Sequence, residues 1–150
     1  MRLRCARSSD LEALVAFENR VFPDDPSRIL RRQWAALLGR PGAVVVLAEG
    51  GRLLGVLVLE RRGGTLRILS LGVEPEARRS GIARVLLDFA ERRARREGRG
   101  ALRLEVGAEN HPARSLYAKA GFAVVAVLPD YYGPGRDGLR LERRLDGPGR

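Results

Sequence analysis

Three β-rich runs joined by two glycine pairs constrain the fold of this chain most. The runs cover residues 43–48, 52–60 and 65–73, and Gly50-Gly51 and Gly63-Gly64 separate them. Glycine adopts positive φ at little cost, and the tight turns of β-hairpins need that conformation. The segment therefore predicts an antiparallel meander of three strands.

Helical and strand patterns alternate on both sides of this meander. Before it, a strand is predicted at residues 3–6, a helix from the caps at residues 8–10, and a second helix that starts at Asp25-Pro26 and ends at Gly39 with Trp34 in the core. After it come a helix at about 80–97, a strand at 101–106, a helix at about 110–120, and strands at 122–128 and 139–145. This order predicts the α/β (α+β) class.

Length and composition indicate one globular domain over residues 1–150. With 45% hydrophobic residues the chain can bury a substantial core, and only residues 146–150 are expected to fray. It has no apolar run of 18 residues and no apolar N-terminal stretch, so we expect a cytoplasmic protein with no membrane partner. The single Cys5, expected in the core, fits a reducing compartment.

The charge of the chain is strongly positive. There are 28 basic and 18 acidic residues, a net charge of +10, and Lys119 is the only lysine. Arginine in place of lysine indicates a GC-rich genome at least as much as phosphate recognition, so no specific nucleic-acid partner is expected. The only histidine, His111, has no cysteine or second histidine nearby, which argues against a metal site.

The stretch Pro-Glu-Ala-Arg-Arg-Ser-Gly-Ile-Ala at residues 75–83 joins a strand to a helix and has the features of an anion site. The first NH groups of a helix lack intrahelical partners, and the helix dipole is positive there. Gly81 leaves the backbone accessible, while Arg78, Arg79 and Arg84 add charge. The alternative is purely structural: Ser80 caps the helix and Gly81 allows close packing.

A second candidate is Glu105, near the carboxyl end of a predicted strand. Side chains alternate along a strand, so Arg103 and Glu105 share the face opposite the apolar residues. The carboxyl ends of parallel strands are where α/β sheets bind ligands. Glu105 is therefore either a catalytic carboxylate or a solvated partner of Arg103.

The residues 78–83 resemble the acyl-CoA signature of the GNAT N-acetyltransferases, with Arg78, Gly81 and Ala83 at its three defining places. This resemblance implies a GNAT fold with a single mixed, mostly antiparallel sheet of about seven strands, and acetyl-CoA as co-substrate. It implies that the main chain of Leu71, Gly72 and Val73 pairs with the pantetheine arm. It also implies that the CoA pyrophosphate binds to the backbone of Arg79, Ser80, Gly81, Ile82, Ala83 and Arg84.

The segment 110–122 resembles a segment of the GNAT enzymes, and Leu-Glu-Val at residues 104–106 before it resembles the subgroup that acetylates protein N-termini, notably those of ribosomal proteins. The matching residues are Asn110, Ala113, Leu116, Tyr117, Gly121 and Phe122. The resemblance implies that Glu105 is the general base, that Asn110 contacts CoA, and that Tyr117 protonates the leaving thiolate. Structural alternatives are a helix cap for Asn110 and a core aromatic for Tyr117, with Leu116 as the safer core residue.

The loop after residue 128 resembles the acceptor loop of the same enzymes, in which two tyrosines flank the entering peptide end. Tyr131, Tyr132, Gly135 and Asp137 match, whereas Arg136 and Gly138 replace an acidic residue and an alanine. The same two tyrosines could instead serve as a packing lid. Asp24 is a further candidate at the acceptor site, where it would favour a cationic amine.

The sequence thus predicts an acetyl-CoA-dependent N-acetyltransferase without a metal. The expected acceptor is a protein or peptide N-terminal amine, with ribosomal proteins among the candidates, and the amine attacks directly in a ternary complex. One alternative is a small-molecule amine such as a polyamine or an antibiotic. Another is a non-catalytic module that binds acyl-CoA or docks on RNA. Both a monomer and a homodimer remain open.

Overall fold

The structure is a computed structural model that describes residues 1–145. The predicted tail, residues 146–150, lies outside the described residues. The strands are β1 (Arg2–Cys5), β2 (Ala43–Glu49), β3 (Leu53–Arg62), β4 (Thr65–Val73), β5 (Ala101–Gly107), β6 (Ala123–Leu128) and β7 (Gly138–Arg144). The helices are α1 (Leu11–Val21), α2 (Arg31–Gly39), α3 (Ile82–Arg96) and α4 (His111–Lys119).

The strands form one sheet in the order β1-β2-β3-β4-β5-β7-β6. Strands β4 and β5 run parallel, whereas β1 with β2, β2 with β3, β5 with β7, and β6 with β7 are antiparallel. This confirms the predicted α/β fold with a mixed, mostly antiparallel sheet of seven strands. None of the helices within residues 1–145 has the length and apolar character needed to cross a bilayer.

The chain divides into two units, each with its own buried residues. The first comprises Met1–Arg61 and Leu69–Asp88, and the second comprises Arg62–Ile68 and the chain from Phe89 onward. The core of the first unit is formed by Leu14, Phe17, Val21, Trp34, Leu37, Val45, Leu47, Val56 and Val58. The second unit buries Leu66, Leu102, Leu104, Phe122, Leu139 and Leu141. Trp34 is fully buried, as its position on the predicted helix indicates.

The predicted start of α2 at Asp25-Pro26 is wrong. The helix begins at Arg31, with Leu30 in extended conformation at its N-cap. Asp25 instead accepts hydrogen bonds from the backbone NH of Ser27 at 2.8 Å and from its hydroxyl at 2.6 Å. An Asp-Pro pair suits a turn as well as a helix start, and here the side chain closes a turn.

A buried carboxylate on α1 explains why the helix starts late. Glu18 is 3% exposed and accepts a hydrogen bond from the backbone NH of Ile29 at 2.7 Å. Burial raises the pKa of Glu18. The bond ties the chain before α2 to α1, which keeps Ile29 and Leu30 out of the helix.

Two further expectations about the core are also wrong. Cys5 is exposed, because β1 is the first strand of the sheet and Cys5 is its last residue. On α4, Leu116 is half-buried, whereas its neighbour Tyr117 is buried. The buried side of α4 therefore carries Tyr117 rather than Leu116.

We predict that Asp10 stabilises the first unit in a pH-dependent way. Both terminal nitrogens of Arg4 donate to Asp10, at 2.9 and 2.8 Å, and so does the NH of Arg7 at 2.7 Å. The hydrogen bonds from Arg4, more than the other contacts, lower the pKa of Asp10 to about 2. Because the folded pKa lies below the unfolded one, this stabilisation is present above about pH 4 and is lost as pH falls towards 2.

Urea unfolding of wild type and Asp10→Asn between pH 6 and pH 2 tests this prediction. At pH 6 the variant should be less stable by about 1 kcal/mol, since the pair is partly exposed and screened. The difference in the free energy of unfolding between the two proteins should disappear as pH approaches 2. A gap that stays constant down to pH 2 would contradict the prediction.

Candidate active site

The loop between β4 and α3 has a backbone conformation suited to anion binding. After β4 the chain makes a short 3₁₀ turn at Pro75–Ala77, and α3 begins at Ile82. Arg79 has φ +66° and Gly81 has φ +87°. Left-handed residues in such a turn direct successive NH groups to one side, which forms a concave anion-binding nest. We call residues 78–84 the anion loop.

The NH groups of the anion loop are available to a ligand. Within residues 1–145, the backbone NH groups of residues 79–84 have no protein acceptor, whereas that of Val85 bonds to the carbonyl of Gly81 at 3.0 Å. These groups include the first turn of α3, where the helix dipole is positive. Several converging donors at a helix start fit a phosphate group.

The structural alternatives for this loop are not supported. The Ser80 hydroxyl donates to the carbonyl of Ala77, and among residues 1–145 it accepts no hydrogen bond from the helix, so it does not cap α3. A Cβ added at Gly81 would meet no atom within 4 Å, so close packing does not require glycine there. The positive φ of Gly81 does require it.

The arginines of the loop contribute differently. Arg78 donates from Nε to the carbonyl of Val73 at 3.2 Å, which fixes the loop to the end of β4. Arg84 lies 3.7 Å from Asp88, and both side chains are at least half exposed. Exposed ion pairs of this kind are weak, so Arg84 remains able to bind an anion.

The candidate pantetheine segment is the end of β4. The parallel ladder joins Thr65–Arg67 of β4 to Ala101–Arg103 of β5, and Leu71, Gly72 and Val73 lie beyond it. A Cβ at Gly72 would lie 2.9 Å from the ring of Phe22. There is therefore no room for a side chain at position 72, and glycine is required there. Sequence analysis did not detect this requirement.

Glu74, which sequence analysis missed, anchors the start of the loop. Its side chain is fully buried, and its Oε1 accepts from Nε of Arg20 at 2.5 Å. Its NH donates to the carbonyl of Leu54 at 2.8 Å. Its other carboxylate oxygen is buried without a partner among residues 1–145. The sequence signal was a charged residue directly after an apolar strand and before Pro75.

Glu105 lies on β5 between two arginines of the second unit. Its side chain is 6% exposed. Arg67 on β4 donates from Nε at 2.9 Å and from Nη2 to Oε1, and Arg140, directly opposite on β7, donates from Nε to Oε2 at 3.0 Å. We call Arg67 and Arg140 the arginine clamp. Arg103 instead pairs with Glu142 at 2.7 Å, so the predicted alternative partner of Glu105 is wrong.

The clamp fixes the orientation of the Glu105 carboxylate. Burial has the largest single effect on Arg67 and lowers its pKa, but the hydrogen bonds and charge of Glu105, together with Tyr131, raise the pKa of the guanidinium overall. A carboxylate has about four acceptor positions, and the clamp uses three, which leaves one on Oε2. That position can receive a proton directly or through a water.

Asn110 caps α4, as one of the two sequence interpretations expected. Its side-chain oxygen accepts from the NH of Ala113 at 3.3 Å, and the residue is exposed. Within residues 1–145 the side-chain amide nitrogen has no acceptor. The cap and a CoA contact are thus compatible, because they use different atoms of the same side chain.

Tyr117 projects from α4 into the interior of the second unit. The residue is 8% exposed, and its ring meets Phe122 edge to face with centroids 5.6 Å apart. Burial, and to a smaller extent the neighbouring Tyr132, raises the pKa of Tyr117 to about 12. The phenol therefore keeps its proton at neutral pH, as a general acid must.

The loop between β6 and β7 carries Tyr131 and Tyr132. Their rings meet edge to face with centroids 4.9 Å apart, and Tyr131 is 45% exposed. Tyr131 is also among the groups that stabilise the charged form of Arg67. Tyr131 is thus a neighbour of Arg67, which binds Glu105, and Tyr132 is a neighbour of Tyr117.

Aspartates within the loop hold it in shape. Oδ1 of Asp137 accepts from the NH of Asp130 at 2.9 Å, and Oδ1 of Asp130 accepts from the NH of Gly135 at 2.8 Å. A Cβ at Gly138 would lie 3.0 Å from Cβ of Tyr131, which explains glycine where alanine is usual.

Each unit contributes a distinct set of candidate residues. The first contains the anion loop, the end of β4 and Asp24, which is exposed in the chain between α1 and α2. The second contains Glu105, Asn110, Tyr117, Tyr131 and Tyr132. No group of three or more His, Cys, Asp or Glu side chains within residues 1–145 could hold a metal ion.

Comparison with known proteins identifies the class. The model of the acetyltransferase (GNAT) family matches residues 9–122, and the chain belongs to this family. It is therefore an N-acetyltransferase, and enzymes of this family use acetyl-CoA. Both anticipated features, the fold and the co-substrate, are confirmed.

Solved structures with this fold include enzymes with different acceptors. Ribosomal-protein-alanine N-acetyltransferase from Brucella melitensis is 25% identical (TM-score 0.80, covering 97% of this chain and 100% of that one). Nourseothricin acetyltransferase is 26% identical (TM-score 0.73, 95% and 97%). PaiA N-acetyltransferase from Thermoplasma acidophilum, in complex with coenzyme A, is 21% identical (TM-score 0.81, 96% and 98%). Among curated protein sequences, none matches the chain.

Proposed function

We propose that this N-acetyltransferase acts on the N-terminal α-amine of a protein or peptide. The observation that supports this most is the arrangement of the second unit, where a carboxylate held by two arginines, Glu105, and a buried phenol, Tyr117, belong to the same unit as the acceptor loop. The similarity to a ribosomal-protein-alanine N-acetyltransferase is consistent with it. We place the reaction in the cytoplasm.

Acetyl-CoA supplies the acetyl group as an activated thioester. The anion loop would bind its diphosphate through the NH groups of residues 79–84, and the main chain of residues 71–73 would pair with the pantetheine arm. Asn110 would add a hydrogen bond from its side-chain amide. These donors suit a polyanion whose charge needs several partners at once.

The acceptor amine must lose a proton during attack, and the sulfur must gain one. Glu105 would take the proton from the amine at the acceptor position left on Oε2. Tyr117 would donate its phenol proton to the departing sulfur and recover one from solvent. An α-amino group suits a single carboxylate base, because its pKa of about 7.7–8.0 lies far below the 10.4 of lysine, a gap of roughly 3.5 kcal/mol.

The test is CoA release from acetyl-CoA with two peptides. One has a free N-terminus and no lysine, and the other has a blocked N-terminus and an internal lysine. Selective turnover of the first peptide supports the α-amine assignment. If acetyl-CoA binds but neither peptide reacts, the assignment is wrong.

A small-molecule amine is the second candidate acceptor. The similarity to nourseothricin acetyltransferase at 26% identity supports it. The acceptor loop also departs from the N-terminal acetyltransferase pattern at Arg136 and Gly138. A panel of polyamines and amine-containing antibiotics in the same CoA-release assay distinguishes a small-molecule acceptor from a protein N-terminus.

We predict that Tyr117→Phe lowers kcat roughly tenfold or more, because the sulfur then departs without a proton donor. The ring and its contact with Phe122 remain, so the melting temperature should hardly change. Since the pKa of Tyr117 is about 12, wild-type kcat should show no decline from tyrosine ionisation below about pH 11. Rates of both proteins from pH 6 to pH 10 provide the measurement, and an unchanged kcat in the variant would rule out the acid role.

A further inference from the structure

We propose that the arginine clamp makes this enzyme select acceptors that carry an anionic group next to the amine, such as a peptide with Asp or Glu at its second position. The inference rests on the proposed role of Glu105 as the base that receives the amine. It concerns the second unit alone, because Arg67, Glu105, Tyr131 and Arg140 all belong to it.

The first argument is the charge around Glu105. Two guanidinium groups face one carboxylate, so the cluster has an excess positive charge. The neighbouring Arg103 and Glu142 pair with each other and cancel. The loop carboxylates of Asp130 and Asp137 accept from backbone NH groups of their own loop. A cationic acceptor would therefore meet net repulsion at this position, whereas an anion would meet attraction.

The second argument is the number of unused donors. Arg140 contacts Glu105 only through Nε, and within residues 1–145 its two terminal nitrogens have no acceptor. Arg67 donates from Nε and Nη2 to Glu105 and also interacts with Tyr131, so the unused donors of the clamp are those of Arg140. The side chains of Arg140 and Arg67 are 35% and 24% exposed, so a ligand can reach them. A guanidinium fork with free terminal nitrogens matches the geometry of a carboxylate.

The third argument is the position of the clamp beside the acceptor loop. Tyr131 interacts with Arg67 and is itself 45% exposed. An acceptor whose amine lies at Glu105 would place its next groups near the same guanidinium groups. A carboxylate one residue from the amine could then bind the clamp while the amine meets Oε2 of Glu105.

The experiment compares three peptides that differ only at the second residue, which is Glu, Gln or Arg, and that contain no lysine. In wild type we expect kcat/KM to fall in that order, by roughly tenfold between Glu and Arg, as a charge-assisted hydrogen bond implies. The preference should weaken at high ionic strength. A preference for the Arg peptide would overturn the proposal.

Arg140→Gln should bring the ratio of kcat/KM for the Glu peptide to kcat/KM for the Arg peptide close to one. Arg140→Lys should keep this ratio above one. We compare this ratio rather than the rates themselves, because a change in the orientation of Glu105 would slow the acetylation of all peptides alike. Arg103→Gln is the matched control: it removes an arginine paired with Glu142 and should leave the ratio unchanged. A ratio that survives in Arg140→Gln would overturn the proposal.

A pair of small primary amines of equal length, one ending in a carboxylate and one in an amide, separates this proposal from the N-terminal assignment. If no peptide reacts but the carboxylate amine does, and Arg140→Gln abolishes that selectivity, the acceptor is not a protein N-terminus and the clamp proposal stands. If peptides react without regard to charge, the N-terminal assignment stands and the clamp proposal fails. If no acceptor reacts, both fail.

Discussion

Glu105→Gln should lower kcat by about two to four orders of magnitude, since positioned general bases contribute in that range. An amide keeps the shape of the side chain but cannot take the proton of the attacking amine. Acetyl-CoA affinity should change little, because the donors assigned to CoA lie elsewhere in the chain. Single-turnover acetylation of the free-amine peptide, with calorimetric binding of acetyl-CoA, measures both quantities.

The structure offers a matched control for this variant. Glu142 lies on the neighbouring strand, is 12% exposed in its side chain and pairs with Arg103. Glu142→Gln therefore imposes a similar loss of a half-buried ion pair without touching the proposed chemistry. If Glu142→Gln slows the reaction as much as Glu105→Gln does, the losses reflect stability, and the base must be sought elsewhere.

Gly81→Ala should weaken acetyl-CoA binding at least roughly tenfold, the loss expected when a charge-assisted hydrogen bond is removed. A side chain at φ +87° costs about 1–2 kcal/mol, and the loop can relieve this only by rotating the peptide groups that carry its NH donors. The dissociation constant of acetyl-CoA, measured by calorimetry, is the direct readout.

Gly51→Ala separates this loss of binding from simple backbone strain. Gly51 has φ +77°, and, as at Gly81, a Cβ there would meet no atom within 4 Å. It lies in the turn between β2 and β3. Both variants should melt at lower temperature, but only Gly81→Ala should lose acetyl-CoA. Equal affinity in the two variants would show that the anion loop does not bind the diphosphate.

The backbone of residues 78–84 could be predicted from sequence because its determinants are local. A glycine at the start of an amphipathic helix, flanked by arginines, specifies both the open backbone and the charge within seven residues of the chain. The strands of the meander were predictable for the same reason, since glycine pairs mark their turns. In both cases the residues that decide the structure are neighbours in sequence.

The start of α2 could not be predicted, because its determinant lies in another element. Asp25-Pro26 has the composition of a helix start, yet the buried Glu18 on α1 binds the NH of Ile29 and delays the helix. No sequence pattern within α2 indicates the hydrogen bond between Glu18 and Ile29.

The arginine clamp was missed for the same physical reason. Arg67 and Arg140 are 38 and 35 residues from Glu105 in sequence, and only sheet pairing brings the three together. Sequence alternation correctly placed Glu105 on the polar face of β5, but it suggested Arg103 as the partner. Which of several arginines reaches a carboxylate depends on strand order, and strand order is a property of the whole sheet.

The burial of Trp34 has a practical consequence for all of these experiments. It is the only tryptophan in the chain, and it lies in the core of the first unit. Intrinsic tryptophan fluorescence therefore reports the melting of that unit, whereas far-ultraviolet circular dichroism follows both. Coincident curves from the two methods would mean that the units unfold cooperatively. An earlier dichroism transition in a Glu105 or Arg140 variant would locate the damage in the second unit without any label.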